Sequence, residues 1–318
     1  MRGLYAVFKK ELCDHFSSFR FVILFVLIAM VSFITTYMAA IQLKDNLEAL
    51  ANTRFPFLML FSATGALFSM VQFVAFFGPL IGIVLGFDSI NRERAHGTLV
   101  KIVSQPIYRD AVINGKFLAG VATIAIMLLS IVLVISGFGL ALVGVVPGIE
   151  ETWRLLIYLI ISIFYISFWL GISILFSIAF KGIATSALAS VALWIFLSFF
   201  ISLGADMVAN AFAPVNSQAE TQPEVIIKNV RIKEIVSLTS PMVLYTEATA
   251  TIIDPMRKTT RSVLLNPMEE ILASRFQNPL RLGQSILIVF PHVTTLIAIT
   301  LICFAISYMI FMLQEIRT

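Results

Sequence analysis

Six stretches of the chain, 21–43, 55–87, 117–149, 155–180, 182–205 and 282–314, contain no Asp, Glu, Lys or Arg. Each is as long as the roughly 20 apolar residues that a helix needs to cross a bilayer. Over 318 residues only 13% are charged and 59% are hydrophobic, with a mean hydropathy of +0.97. Soluble domains carry about 25% charged residues. The chain is therefore expected to be an all-α polytopic membrane protein with six transmembrane helices. No cleavable leader pattern is present, because Lys9, Lys10, Glu11 and Asp14 interrupt the apolar positions ahead of the first span. Cys13 and Cys303 offer neither a disulfide framework nor a metal-ligand spacing.

Lys and Arg placement sets the expected orientation. With the N-terminus inside, the inner segments hold Arg2, Lys9, Lys10, Arg20, Arg92, Arg94, Lys101, Arg109, Lys116, Lys181 and Arg317. The short outer loops hold Lys44, Arg54 and Arg154. The positive-inside bias puts both termini in the cytosol of a cell whose plasma membrane the chain crosses. Charges spread in this way leave no basic patch for nucleic acid.

Four regions follow. Residues 1–19 read as an amphipathic interfacial helix, with Leu4, Phe8, Leu12, Phe16 and Phe19 on one stripe, lying on the inner leaflet. Residues 20–205 hold spans one to five and an inner loop, 88–116. Residues 206–281 form an enlarged outer segment, in which 242–253 and 267–276 read as short helices and the first of these lies at the outer interface. Residues 282–318 are the last span and a cytosolic tail. The second window exceeds one crossing, so 55–65 is an outer helix or a slanted entry and the span is about 66–87. Its Gly78, Gly82 and Gly86 make a smooth face, for packing within one subunit or for a dimer seam. Pro79 predicts a local kink. Pro147-Gly148 and Lys181-Gly182 mark tight hairpins between spans three and four and between four and five.

Catalytic chemistry is not visible. No HExxH, no paired intramembrane carboxylates and no nucleophile elbow occur, and no metal or cofactor site is expected. A phosphate-cradling loop needs Gly-x4-Gly-Lys-Ser/Thr; the single Gly-Lys pair, Gly115-Lys116, is followed by Phe117 and preceded by Asp110 where the first glycine belongs. His292 is the one ionisable residue expected within a span, and no acidic partner at its depth is apparent. A body without ion-coupling charges or an energy source is passive or is driven by another subunit.

The inner loop reads DSINRERAHGTLVKIVSQPIYRDAVINGK. Gly97-Thr98 breaks the helix leaving the membrane. Thr98 can cap a short helix over 99–104, which Pro106 ends, and Asp110 can cap the helix entering span three. Arg92, Glu93, Arg94 and Lys101 offer charge to a partner, and Leu99, Ile102 and Val103 an apolar face. The product is a lever held crosswise beneath the membrane, or an ordinary solvated connector.

Glu93-Arg94-x-x-Gly97-Thr98-Leu99, then Pro106-Ile107-x-Arg109, then Lys116 resembles the first cytosolic loop of type-2 ABC exporter permeases. The plan of an N-terminal elbow helix and six spans agrees. The resemblance implies that this loop is a coupling helix seated in a groove of a separate ABC ATPase subunit, which would hold ATP and Mg. Glu93 and Arg94 would make polar contacts there, with Arg92 and Arg109 beside them. Gly97-Thr98 would set the turn, and Leu99, Ile102 and Val103, bounded by Pro106 and Ile107, would fill the groove. It also implies a second permease copy or a homologous permease, and a substrate path lined by spans one, two and five. The outer segment exceeds the short helical hairpin common in such permeases, which points to a cap or an extracytoplasmic partner. The functions this leaves open are an exporter of an amphipathic cargo, a mechanotransmission or assembly subunit, and a secondary carrier.

Overall fold

The computed structural model describes residues 2–45, 55–62, 69–98, 108–214, 223–255 and 279–314. All regular structure among these is helical: α1 (Arg2–Phe16), α2 (Phe19–Asp45), α3 (Met59–Ser62), α4 (Met70–Gly86), α5 (Asn91–Ala95), α6 (Arg109–Val143), α7 (Ile149–Ala179), α8 (Ile183–Ile195), a π-helical segment (Phe196–Phe200), α9 (Ile201–Phe212), α10 (Pro223–Ser237), α11 (Pro241–Ile253) and α12 (Leu282–Leu313). Among the described residues, six helical runs are long and apolar enough to cross a membrane: Phe19–Ile41, Met70–Ala95, Arg109–Val143, Ile149–Ala179, Ile183–Phe212 and Leu282–Leu313.

The core is built around α7, which packs against α4, α6, α8, α11 and α12. Two-thirds of the apolar windows of α4 and α7 is buried (67% each), against 22% for the first span and 17% for the fifth. The outer spans therefore present their apolar sides to whatever surrounds the chain. Helices α4, α7 and α12 run parallel: Thr300 and Ser307 of α12 donate to the carbonyls of Phe164 and Gly171. We call the end carrying α1 and α5 the base and the opposite end the crown.

The glycine row of α4 faces α7 within the same chain. A Cβ on Gly82 would lie 2.6 Å from the carbonyl oxygen of Ile166, and one on Gly86 would lie 2.9 Å from the Ser173 Cβ. On Gly78 it would meet Ile166 at 3.0 Å. Backbone cannot yield as a side-chain tip does, so Gly82 fixes the spacing of these two helices. The row packs within one chain, with α7 filling this face. Pro79 does not end α4. It cannot donate to the Ala75 carbonyl one turn back, and the hydroxyl of Tyr165 donates to that oxygen instead, at 2.7 Å. Ser69 caps α4 through a reciprocal pair with Gln72, which places the start of span two at 70, within the expected window.

Three expectations change. First, α1 has a partner within the chain. It is packed along α6, with Val7 and Glu11 buried. Its stripe ends before Phe19, which begins α2 and is 86% exposed. Second, the boundary at 206 falls inside a helix. Asp206 ends the uncharged run, but its carboxylate pairs with Lys233 of α10, and α9 continues to Phe212. Asn229 of α10 donates to Asn210 and to the Ala213 carbonyl, so α10 folds back along α9. Third, α11 is buried within the bundle. Pro241 starts it at its first position and it returns toward the crown through the core, with Val243, Leu244, Tyr245, Ala248, Ile252 and Ile253 buried. Tyr245 stacks on Tyr165 with ring centroids 4.3 Å apart, and its hydroxyl meets that of Ser162 at 2.9 Å. An apolar helix too short to span buries its surface among longer ones. The helix expected over 267–276 lies outside the described residues.

Candidate functional site

At the base, α1, α5 and the first turns of α6 meet. Gly115 lets α1 approach, since a Cβ there would stand 2.8 Å from Val7. One turn along α1 from Val7, Glu11 accepts from Lys116 at 2.8 Å. The same ammonium donates to Glu93 at 2.8 Å, although these three residues come from separate elements. The Lys116 side chain is 4% exposed, and those of Glu11 and Glu93 are 10% exposed. Lys10 adds a second cation, 2.8 Å from Glu11, 3.1 Å from Asp14 and 3.6 Å from Glu93. Burial works against ionisation of Glu11, yet the Lys116 charge and the hydrogen bonds from Lys10 and Lys116 hold its carboxyl below the usual range. His15, in the last turn of α1, is held below the usual imidazole range mainly by burial, against the opposing pull of Glu11.

Further contacts pin the loop to the bundle. The Ser177 hydroxyl of α7 accepts from the amides of both Ile90 and Asn91, at 3.0 and 3.1 Å, at the otherwise uncapped start of α5. Asn91 donates to the Gly182 carbonyl between α7 and α8. Arg20 pairs with Asp88 at 2.6 Å and lies over the Phe87 ring. At the end of α12, Arg109 donates to the carbonyls of Phe311 and Gln314 at 3.1 and 2.6 Å, and Arg94 donates to the Gln314 side chain at 2.9 Å. Cations at a helix C-terminus meet its unpaired carbonyls and the negative end of its dipole.

The sequence-predicted loop residues thus separate. Glu93, Arg94 and Arg109 reach the bundle and hold the loop on it, through Lys116, Gln314 and the last carbonyls of α12. Arg92 is exposed. Gly97 has φ +65 and ends α5 in the left-handed region, as a break there requires. Thr98 is expected to cap a helix over 99–104, which lies outside the described residues. Its hydroxyl donates to the Glu93 carbonyl at 3.2 Å and closes the preceding turn. Asp110 is not the cap of α6: that position is Tyr108, and the Asp110 carboxylate accepts from the Ala111 amide in the first turn. Leu99, Ile102, Val103, Pro106 and Ile107 lie outside the described residues.

Sequence reasoning missed Glu11 and Lys116 as a pair, because 105 positions separate them. A readable signal existed: Lys116 stands directly against an apolar span, where a lone cation is costly. At the crown, Arg154 was read as an outer-loop charge and is fully buried. It donates to the carbonyls of Ile252 and Leu280 at 3.0 and 2.7 Å, to Ser285 at 3.2 Å and to Glu150 at 3.1 Å, and it lies over Phe55. One residue thereby joins α7 to the end of α11 and the start of α12. Beside it, Glu151 accepts from the amides of Phe57 and Gly148. Among the described residues, no three His, Cys, Asp or Glu stand together in a way that could hold a metal ion.

Comparison with known proteins bears on the family. A family model described as ABC-2 family transporter protein matches residues 5–316. A stretch of 85 residues is 33% identical to a probable ABC transporter permease protein, NosY, of Pseudomonas aeruginosa. That stretch is 26% of this chain and 29% of the relative. The chain belongs to the ABC-2 family of transporter proteins and is a multi-pass membrane permease of the ABC class.

Proposed function

We propose that this ABC-2 permease is the membrane-spanning half of an ATP-driven exporter, with its base in the cytosol and its motor in a separate ATPase subunit. That subunit holds ATP and Mg; this chain holds neither. The observation that carries the reading is the buried Lys116, which ties Glu93 of the loop to Glu11 of the elbow helix and to span three. A force applied beneath the loop reaches three elements at once, because none of the three charges can leave the cluster without exposing another. Arg94, Arg109 and Ser177 extend the connection to α12 and α7. Leu99, Ile102 and Val103, with Pro106 and Ile107 closing the segment, supply the surface that meets the ATPase, and Arg92 supplies exposed charge. Closure of two ATPase subunits then shifts spans as rigid bodies. The second half is another copy of this chain or a homologous permease, meeting it along the little-buried first and fifth spans. The cargo is amphipathic in this reading.

Purification with a co-expressed ATPase subunit tests the coupling surface. The wild-type chain retains that subunit and stimulates its hydrolysis, and Leu99→Asp releases it. Retention by Leu99→Asp removes the coupling assignment. Flux through the chain alone in liposomes under an ion gradient removes the reading of an ATP-driven machine in favour of a secondary carrier.

A second reading is supported by Arg154. Because it fastens the crown segment to α7, motion started at the base can be passed to an extracytoplasmic partner without cargo crossing. Vesicles holding the chain and its ATPase separate the two: an exporter moves a fluorescent amphipath when ATP is hydrolysed, and a transmission subunit hydrolyses ATP without moving one.

A further inference from the structure

The structure brings an acid to the histidine of the last span. Glu247, on α11, is 4% exposed, and its Oε2 stands 3.4 Å from Nε2 of His292 on α12. His292 lies ten residues along α12, about 15 Å from its start at 1.5 Å per residue. Neither Oε2 of Glu247 nor Nδ1 of His292 has a hydrogen-bond partner among the described residues. We propose that Glu247 and His292 form a binding site for a single proton, and that occupancy of this site by one proton holds α11 in the membrane core.

The argument is one of charge balance. With one proton between them the pair is neutral, whether the proton sits on the imidazole of a Glu⁻/His⁺ pair or on the carboxyl beside a neutral imidazole. A second proton leaves a net positive charge; loss of the first leaves a net negative one. An uncompensated buried charge is costly, and in a membrane more so. The surroundings supply no compensation among the described residues. On the elements packed against α11, α3, α4 and the π-helical segment bring no titratable group. The α7 helix brings the hydroxyls of Tyr158 and Tyr165 and, toward the crown, Glu150, Glu151 and Arg154, which are engaged with one another or with backbone. On α11 and just past its end are Tyr245 and Asp254, and on α12 are Cys303 and Tyr308, further toward the base. The α6 helix carries no charge beyond Lys116. Both departures from a single proton therefore weaken the seat of α11 between α7 and α12.

The test is hydrogen exchange of the 241–253 amides in the full chain held in lipid nanodiscs, corrected for the intrinsic pH dependence of exchange, over the whole pH range in which the chain stays folded. The wild type shows greatest protection at an intermediate pH and a tenfold or larger fall on each side. Glu247→Gln leaves only the histidine to carry a charge, so the alkaline fall disappears and the acid fall stays. His292→Gln leaves only the carboxyl, so the acid fall disappears and protection rises on acidification. The double variant, with no charge left to bury, is flat. A wild-type profile without a maximum overturns the proposal, as does the same profile in all variants. If a single variant does not fold, the wild-type and double-variant profiles decide it alone.

Discussion

Two buried cations anchor the two ends of this bundle, and they are satisfied in opposite ways. Lys116 at the base is met by two carboxylates from distant elements, with Lys10 balancing the excess acid. Arg154 at the crown is met mainly by neutral oxygens, two carbonyls and a hydroxyl, and by a single carboxylate, Glu150, whose side chain is 31% exposed. The base is a set of charges that hold each other. The crown is a fork of donors that gathers chain ends. A charge network responds to any change in charge or protonation, whereas a fork filled by carbonyls responds to the loss of its shape. The end expected to meet a motor carries the responsive arrangement, and the end that organises the crown carries the fixed one.

This difference can be attacked directly. Lys116→Met leaves Glu11 and Glu93 facing each other around a gap and should cost about 3–5 kcal/mol, the usual range for breaking a buried pair from one side. Thermal unfolding in detergent measures it. Adding Glu11→Gln and Glu93→Gln should restore most of the loss; no restoration would mean that packing, not charge, dominates the base. Arg154→Met leaves the carbonyls of Ile252 and Leu280 without a donor and should cost about 2–3 kcal/mol by the same assay. No partner charge is stranded in the core there, so a loss larger than that of Lys116→Met would reverse the comparison. Gly82→Ala, between the two ends, drives a methyl into the α7 backbone and should cost about 1–3 kcal/mol as overpacking. An unchanged melting temperature would show that α4 and α7 can separate freely.

Acid should release α1 from the base. The folded Glu11 carboxyl lies below its ordinary 4.5, so its contribution is present above that pH and is lost as the pH falls through the lower folded value. His15 lies below its ordinary 6.5, so the unfolded or released helix takes up the proton first, and docking weakens as the pH falls below about 6.5. Modification of the exposed Cys13 thiol follows α1, and limited proteolysis within 2–16 gives an independent readout. His15→Gln should remove the upper step and keep the lower one. If both steps persist, His15 is not their source.

The sequence located the spans well because a charge-free stretch of this length has few other places to be. It failed where a residue's value depends on a distant neighbour. Asp206 looks like the end of a span until Lys233 is seen beside it. The 241–253 helix looks interfacial, being short and rich in Thr, until the gap among α4, α7 and α12 is known. Glu93 and Arg94 look like free loop charges until Lys116 and Gln314 claim them. Glu247 was overlooked as a partner for His292 for the same reason: its segment had been placed at the outer surface.

The sequence alone determined that this is a helical membrane protein, how many times it crosses, and where its loops turn, since these follow from local hydropathy, glycine and proline. The tertiary structure decided which charges are buried, which helix faces are already filled and which segment lies in the core. Those are properties of pairs, and the cost of burying a charge or leaving a carbonyl unmet is fixed only when the partner across the fold is in place.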